Sequence, residues 1–129
     1  MAKLLLLKGA SVTIAARRLP QLKEVRLELE LFIQKGQKLA IAQVDVTDGD
    51  SAKNLIVEAE KVQGRSIDDV ICCAGAAVPG FFVDQSPKVF AQQMNLNYQG
   101  TVNIVHVSIP YDCHSDRRLI CVACREAND

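Results

Sequence analysis

The sequence has no surplus of charge of either sign: Lys+Arg and Asp+Glu each number 15, so the formal net charge is zero. A protein that holds nucleic acid by neutralising many phosphates needs a basic excess, so that class is excluded. Long apolar runs are also lacking. The longest near the start, Leu4-Leu5-Leu6-Leu7, is far short of the roughly 20 residues that span a bilayer. Lysines flank that run and no small-residue cleavage site follows it, which argues against a secretory signal peptide. No internal repeat, low-complexity segment or Gly/Ser linker interrupts the chain. No second ligand pair accompanies the C-x-x-C of Cys121 and Cys124, because His106 and His114 stand at no familiar zinc spacing. No metal site is therefore expected.

What is present suits one small globular domain: 129 residues, 49% hydrophobic and 23% charged, enough for a single core and too few for two. The five cysteines read as reduced thiols of a cytosol-facing protein, with Cys72 and Cys73 partly buried, since disulfide frameworks belong to oxidising compartments.

The periodicity alternates between helix and strand. Ala2 to Lys8 reads as the end of a helix stopped by Gly9, a residue suited to the positive φ of a helix terminus. Ser11 to Ala15 carries three successive β-branched residues and reads as a buried strand. A helix is expected from about Pro20 to Gln34, with Leu22, Val25, Leu29, Phe32 and Ile33 on one face and Gly36 closing it. Leu39 to Asp45 reads as a second strand. Asp50 or Ser51 is expected to cap a third helix, whose apolar stripe is Ala52, Leu55, Ile56, Ala59 and Val62, ended by Gly64. Asp69 to Cys73 is a third strand. Ser86-Pro87 starts a helix that runs to Ile109, where Pro110 stops it. Tyr111 to Arg118 is polar and irregular, and Leu119 to Ala123 reads as a further strand. Strands separated by helices require crossovers, so the fold class is α/β: a parallel, doubly wound, Rossmann-like sheet with helices on both faces. Ligands of such sheets sit beyond the carboxyl ends of the strands.

The residues after those strand ends each admit two readings. Arg17 and Arg18 follow the first strand, with no carboxylate between Gly9 and Gln21. An arginine there pairs with the 2′-phosphate of NADP, whereas NAD selection uses a carboxylate on the ribose; two solvated arginines in a turn is the plainer alternative. Asp45-Val46 follows the second strand, where a carboxylate can accept from the adenine amine while the next residue packs on the ring, or where it simply serves the turn. Cys73-Ala74-Gly75 follows the third strand, and small residues there let the backbone approach a ligand or only make the bend. Asn97 sits inside a predicted helix, a poor place for asparagine. Its amide can hold a water or a backbone carbonyl at a kink, or face solvent.

Together these pieces resemble the classical short-chain dehydrogenase/reductases over about residues 2–110. Ala16-Arg17 is similar to that family's NADP-selecting position and Asp45-Val46 to its adenine-side motif. Cys73-Ala74-Gly75 stands where the family has Asn-Ala-Gly, and Asn97, followed by Tyr98-Gln99-Gly100, matches the asparagine of its Asn-Ser-Tyr-Lys tetrad. The segments from Gly9 to Arg18 and from Cys73 to Phe82 look most like 3-ketodihydrosphingosine (3-dehydrosphinganine) reductases. The resemblance implies Arg17, Arg18, Asp45, Val46, Cys73, Ala74 and Gly75 as NADP(H)-binding residues and Asn97 as a catalytic one. It implies a keto-lipid substrate at the cytosolic face of the endoplasmic reticulum, a chain itself soluble or cytoplasmic, and a homo-oligomer through the Asn97 helix.

The departures from the family pattern are as informative. Glycines stand at 9, 36, 49, 64, 75, 80 and 100, so no Gly-x-Gly exists. The family's first strand, glycine-rich loop and pyrophosphate-holding helix N-terminus are expected to be missing, and the sheet to be incomplete. The tyrosines are Tyr98 and Tyr111, the last lysine is Lys88, and no serine follows Ser115, so the Tyr-x-x-x-Lys is missing as well. The expected organisation is a partial NADP-binding domain over 1–110 and a divergent tail over 111–129, truncated at both ends relative to the family and without reductase activity of its own. The alternative is a non-catalytic Rossmann-like binding or partner-pairing protein. A sheet without its central strand is also expected to be weakly stable, its strand edges open.

Overall fold

The computed structural model describes residues 1–109 and 118–121. Its elements are α1 (Ala2–Leu7), β1 (Val12–Ala16), α2 (Leu19–Glu30), β2 (Leu39–Gln43), α3 (Gly49–Gln63), β3 (Asp69–Cys72), α4 (Pro87–Met94), α5 (Gly100–Ser108) and β4 (Arg118–Cys121). A single 3-10 turn covers Phe82–Asp84, and a π-helical turn, Asn95–Gln99, joins α4 to α5. The strands are parallel and alternate with helices, as the sequence predicts. They form two two-stranded sheets, β1-β2 and β3-β4, the arrangement of an incomplete Rossmann-like sheet. Pro110, the irregular stretch from Tyr111 and the Cys113, His114 and Cys124 side chains lie outside the described residues.

The described residues fall into two compact units, Met1–Asp45 with Asn54–Ile67, and Val46–Lys53 with the residues from Asp68 on. In the first, β1 and β2 pair in register from Val12↔Leu39 to Ala16↔Gln43, and α2 packs on both strands while α1 packs on β1. Leu6, Val12 and Leu29 form the core cluster, with Leu5, Ile14, Phe32, Ile33 and Leu39 packed against it. Leu6 is wholly inaccessible. The Leu4–Leu7 run thus serves as one short helix whose buried stripe is seated on β1. Gly9 ends it at φ 89°, the left-handed value expected of a glycine there.

Helix α2 ends at Glu30, four residues earlier than its apolar pattern suggests. Past that point the Phe32 N–H donates to the Leu29 carbonyl (3.0 Å) and the Ile33 N–H to that of Glu30 (3.3 Å), tight turns that replace the helical ladder. The cause lies in Gln37. Its Oε1 accepts from the Gln34 N–H at 2.6 Å, and its Nε2 donates to the Leu6 and Ala10 carbonyls at 2.8 and 2.6 Å, drawing the chain toward the end of α1. Within α2 the stripe is seated through Leu22 and Leu29, and Val25 lies at its exposed margin. Helix α3 is capped by Asp48 rather than by Asp50 or Ser51: its Oδ1 accepts from the Asp50 N–H (2.9 Å) and its carbonyl from the Ala52 N–H (3.0 Å). At the other end, Lys38 Nζ donates to the Val62 and Gln63 carbonyls (3.1 and 2.9 Å), a cation on a helix C-terminus. Val62 itself is exposed there, unlike Ala52, Ile56 and Ala59 of the same stripe.

In the second unit β3 and β4 pair from Asp69↔Arg118 to Cys72↔Cys121, and α5 packs on β3. Among the described residues Val46, Ala52, Cys72 and Ile104 are its buried apolar side chains. The expected long helix from Pro87 is continuous in direction but widened at Asn95–Gln99, where the Gly100 N–H reaches back to the Asn95 carbonyl.

Candidate functional site

At the end of β1, Arg17 and Arg18 are both exposed, and Arg18 is the N-cap of α2 in an extended conformation, φ −95° and ψ 93°. Its side chain makes no capping bond, so two cations stand beside the positive end of a helix, an arrangement that repels itself and favours an anion. Among the described residues neither guanidinium has an ion-pair partner. The backbone beneath them is fixed. The Val44 N–H donates to the Ala16 carbonyl (3.1 Å), and Gln43 Nε2 donates to the Arg17 carbonyl (2.9 Å). Val44 is buried and Asp45 half-buried, one and two residues past the end of the neighbouring parallel strand. The structure therefore brings Arg17, Arg18 and Asp45 to the carboxyl ends of two paired strands.

Val46 is buried and is held from α5. Asn103 Nδ2 donates to its carbonyl at 2.9 Å. Gly100 lies so close that a Cβ there would stand 2.7 Å from Val46 Cγ2. At the end of β3, Cys72 is buried, Cys73 and Gly75 are half-buried, and Ala74 is exposed. The loop that follows is clasped by Asn97, whose Oδ1 accepts from the Ala76 N–H and whose Nδ2 donates to the Ala76 carbonyl, both at 2.9 Å. The Asn97 carbonyl in turn accepts from the Thr101 hydroxyl at 2.9 Å. Asn97 lies within the π turn, so the asparagine that fits a helix poorly marks a widened turn and holds a backbone group across it. Cys73, Ala74, Gly75 and Asn97 are thus brought together, with Ala76 as the joint.

Beyond this loop an open groove is lined by Val78, Pro79, Phe82, Phe90, Met94 and Asn97. Gln85 Nε2 donates to the Val78 carbonyl (2.9 Å), and the Phe82 and Phe90 rings are 5.1 Å apart. Phe81, Phe82 and Val83 remain 79%, 78% and 87% exposed. Among the described residues no cluster of three metal-ligating side chains occurs, and no helix is long and apolar enough to cross a membrane. Sequence reasoning missed Ala76, Asn103 and Gln37.

Comparison with known proteins gives this geometry a family. The short chain dehydrogenase family profile matches residues 1–125. The chain is similar to the PIGF/3-ketodihydrosphingosine reductase fusion protein of Schizosaccharomyces pombe, 38% identical over 110 residues that cover 84% of this chain and 22% of that protein. It is similar to the 3-ketodihydrosphingosine reductase ksrA of Aspergillus fumigatus, 33% identical over 105 residues that cover 79% of this chain and 29% of that one. It spans less than a third of either relative's length. Its fold is similar to part of an alcohol dehydrogenase from the archaeon Thermococcus sibiricus complexed with 5-hydroxy-NADP, with a TM-score of 0.72, 20% identity, and coverage of 82% of this chain and 44% of that one. The profile covers nearly the whole sequence and the fold agrees with it, and the chain belongs to the short chain dehydrogenase family.

Proposed function

We propose that this chain is the adenosine-reading part of an NADPH-dependent keto-lipid reductase, of the kind that reduces 3-ketodihydrosphingosine, and that these residues alone bind NADP(H) without turning substrate over. The observation that carries the reading is the pair Arg17 and Arg18, exposed, without an ion-pair partner among the described residues, at the head of α2 and with no carboxylate from Gly9 to Gln21. Such a pair meets the two negative charges of a 2′-phosphate and gives a 2′-hydroxyl nothing to donate to. Asp45 accepts from the adenine amine, and Val46, whose side chain is buried against Gly100, offers only its backbone to the base. Cys73, Ala74 and Gly75 carry little side-chain bulk at the strand end and admit a close approach of the backbone. The fit is partial: residues for the 2′-phosphate and the base are present, whereas no Gly-x-Gly cradle for the pyrophosphate is.

When bound, the nicotinamide supplies a hydride to a carbonyl carbon. The developing alkoxide then needs a proton donor, and no Tyr-x-x-x-Lys stands in these residues. Asn97 sets the loop through Ala76 and keeps one lone pair and one N–H of its amide for a relay. An amide does not titrate, so it passes a proton on and does not originate one. The test is calorimetric titration with NADPH and NADH, beside an assay of NADPH consumption with 3-ketodihydrosphingosine. Preference for NADPH of about tenfold or more, without consumption above the blank, is expected. Equal affinity for the two dinucleotides contradicts the cofactor reading, and turnover contradicts the inactivity.

A second reading, partner pairing through the Asn97 helix, is favoured by one observation. Met94, Tyr98 and Val102 recur every fourth residue and are 59%, 62% and 37% exposed. Sedimentation equilibrium of the wild type and of Tyr98→Glu tests it: a dimer that the glutamate dissociates supports pairing, and a monomer in both removes it.

A further inference from the structure

The groove beyond β3 lies wholly within the second unit and is lined by no charged residue. Its apolar walls are Val78, Phe82, Phe90 and Met94. Its volume of about 470 Å³ falls in the range of small-molecule sites. Three amide side chains also line it, and each is turned to the loop backbone. Asn97 takes both backbone groups of Ala76. Gln93 Oε1 accepts from the Val78 N–H (3.5 Å), and Gln85 Nε2 donates to the Val78 carbonyl (2.9 Å). The N–H and C=O of one residue point the same way in extended chain, and alternate residues share an edge. Ala76 and Val78 therefore present a strand-like edge that side chains close in place of a neighbouring strand. At the rim, Phe81 and Val83 stand exposed on either side of Phe82.

We propose that this groove is a site for one hydrocarbon chain, the tail of the keto lipid, held against Phe82, Phe90, Met94 and Val78. The proposal deepens the keto-lipid reading above and rests on it. The state of the polar groups chooses the occupant. A peptide would pair with a backbone edge, and the edge of Ala76 and Val78 is already taken. It would also bring an N–H and a C=O out of water at every residue, each costly without a partner. Along the groove only Gln85 Oε1 and Gln93 Nε2 remain to meet them among the described residues. An alkyl chain brings no such demand, and an uncharged groove matches it. The apolar rim of Phe81 and Val83 extends the contact for a chain longer than the groove. Asn97 lines the same groove, which joins the tail site to the amide that serves the relay.

The sequence supplies its own reporters. It has two methionines, Met1 and Met94; Met94 lines the groove, and Met1 is exposed in the other unit. The test is NMR of the methionine methyl groups in the full chain, titrated with 1-hexanol, 1-octanol and 1-decanol. The Met94 methyl is expected to shift saturably, with Kd falling about threefold for each added methylene, while Met1 stays in place. Phe82→Asp puts a charge against the chain at an exposed position and should weaken 1-decanol binding about tenfold. Val78→Asp, also exposed, carries the same test if the first variant fails to fold. Equal shifts at both methyls, affinity independent of chain length, or undiminished binding in a folded variant overturns the tail site. A Met94 shift that grows with protein concentration without alkanol makes a second copy the occupant and overturns it too. A shortened analogue of 3-ketodihydrosphingosine is expected to displace 1-decanol. If it does not, the alkyl site stands and the keto-lipid reading falls; if it binds without moving Met94, that reading stands and the tail site falls.

Discussion

The ends of β1 and β3 are built on opposite plans. At β1 the candidate groups, Arg17 and Arg18, are charged, exposed and without side-chain partners among the described residues, and only the backbone beneath Arg17 is tied down. At β3 the segment carries no charge, and its position is set from a distant helix by the Asn97 amide. The first plan leaves side-chain freedom to be lost on binding and places positive charge where water screens it. The second spends side-chain hydrogen bonds in the ligand-free chain to fix backbone groups in advance. Arginines in place of a scaffold give salt-sensitive affinity at little structural cost, whereas a clasped loop gives geometry and its loss is felt as stability.

That contrast can be broken or sharpened by substitution. The largest effect is expected from the core that seats β1 itself. Leu6→Ala empties a fully buried site and should cost about 3 kcal/mol in urea unfolding. Asn97→Leu removes both bonds to Ala76 and should cost about 2 kcal/mol. Limited proteolysis should then cut first within residues 74–80, and unchanged protection there contradicts the clasp. Gly100→Ala sets two effects against each other. A methyl 2.7 Å from Val46 Cγ2 costs about 2 kcal/mol of overpacking, from which the better helix propensity of alanine recovers about 1. A net loss of about 1 kcal/mol is expected, and a gain would show that Val46 yields freely. The smallest stability effect belongs to Arg17→Ala and Arg18→Ala, each within about 0.5 kcal/mol of wild type. A larger loss would mean that the arginines support the fold.

The same contrast divides what the sequence makes legible. Charge and helix-start chemistry are local, so the arginine pair, the Asp45-Val46 step and Ser86-Pro87 as a helix start are readable from neighbouring residues. The parallel strands follow from β-branched runs separated by helices. Contacts that join distant segments are not local. Gln37 reaching Leu6 and Ala10 shortens α2 below its apolar pattern. Asn103 binding Val46 is a pairing across more than fifty positions that no spacing rule announces. Asn97 lies between these cases: its misfit in a helix is visible in the sequence, but Ala76 as its partner and the π turn around it are not. Asp48 displaced the expected helix caps because its carboxylate sits one residue before the helix starts and two before the N–H it accepts from.

The central claim is that the arginine pair and the Asp45-Val46 step read the 2′-phosphate and base of one cofactor. Its most direct measurement is amide chemical-shift mapping by NMR, with the labelled chain titrated with adenosine 2′,5′-bisphosphate and, separately, with 5′-AMP. The account predicts saturable shifts at Arg17, Arg18, Asp45 and Val46 with the bisphosphate, those at the arginines weakened at least about tenfold in affinity with 5′-AMP. No shift at these residues, or the same curve with both probes, contradicts it.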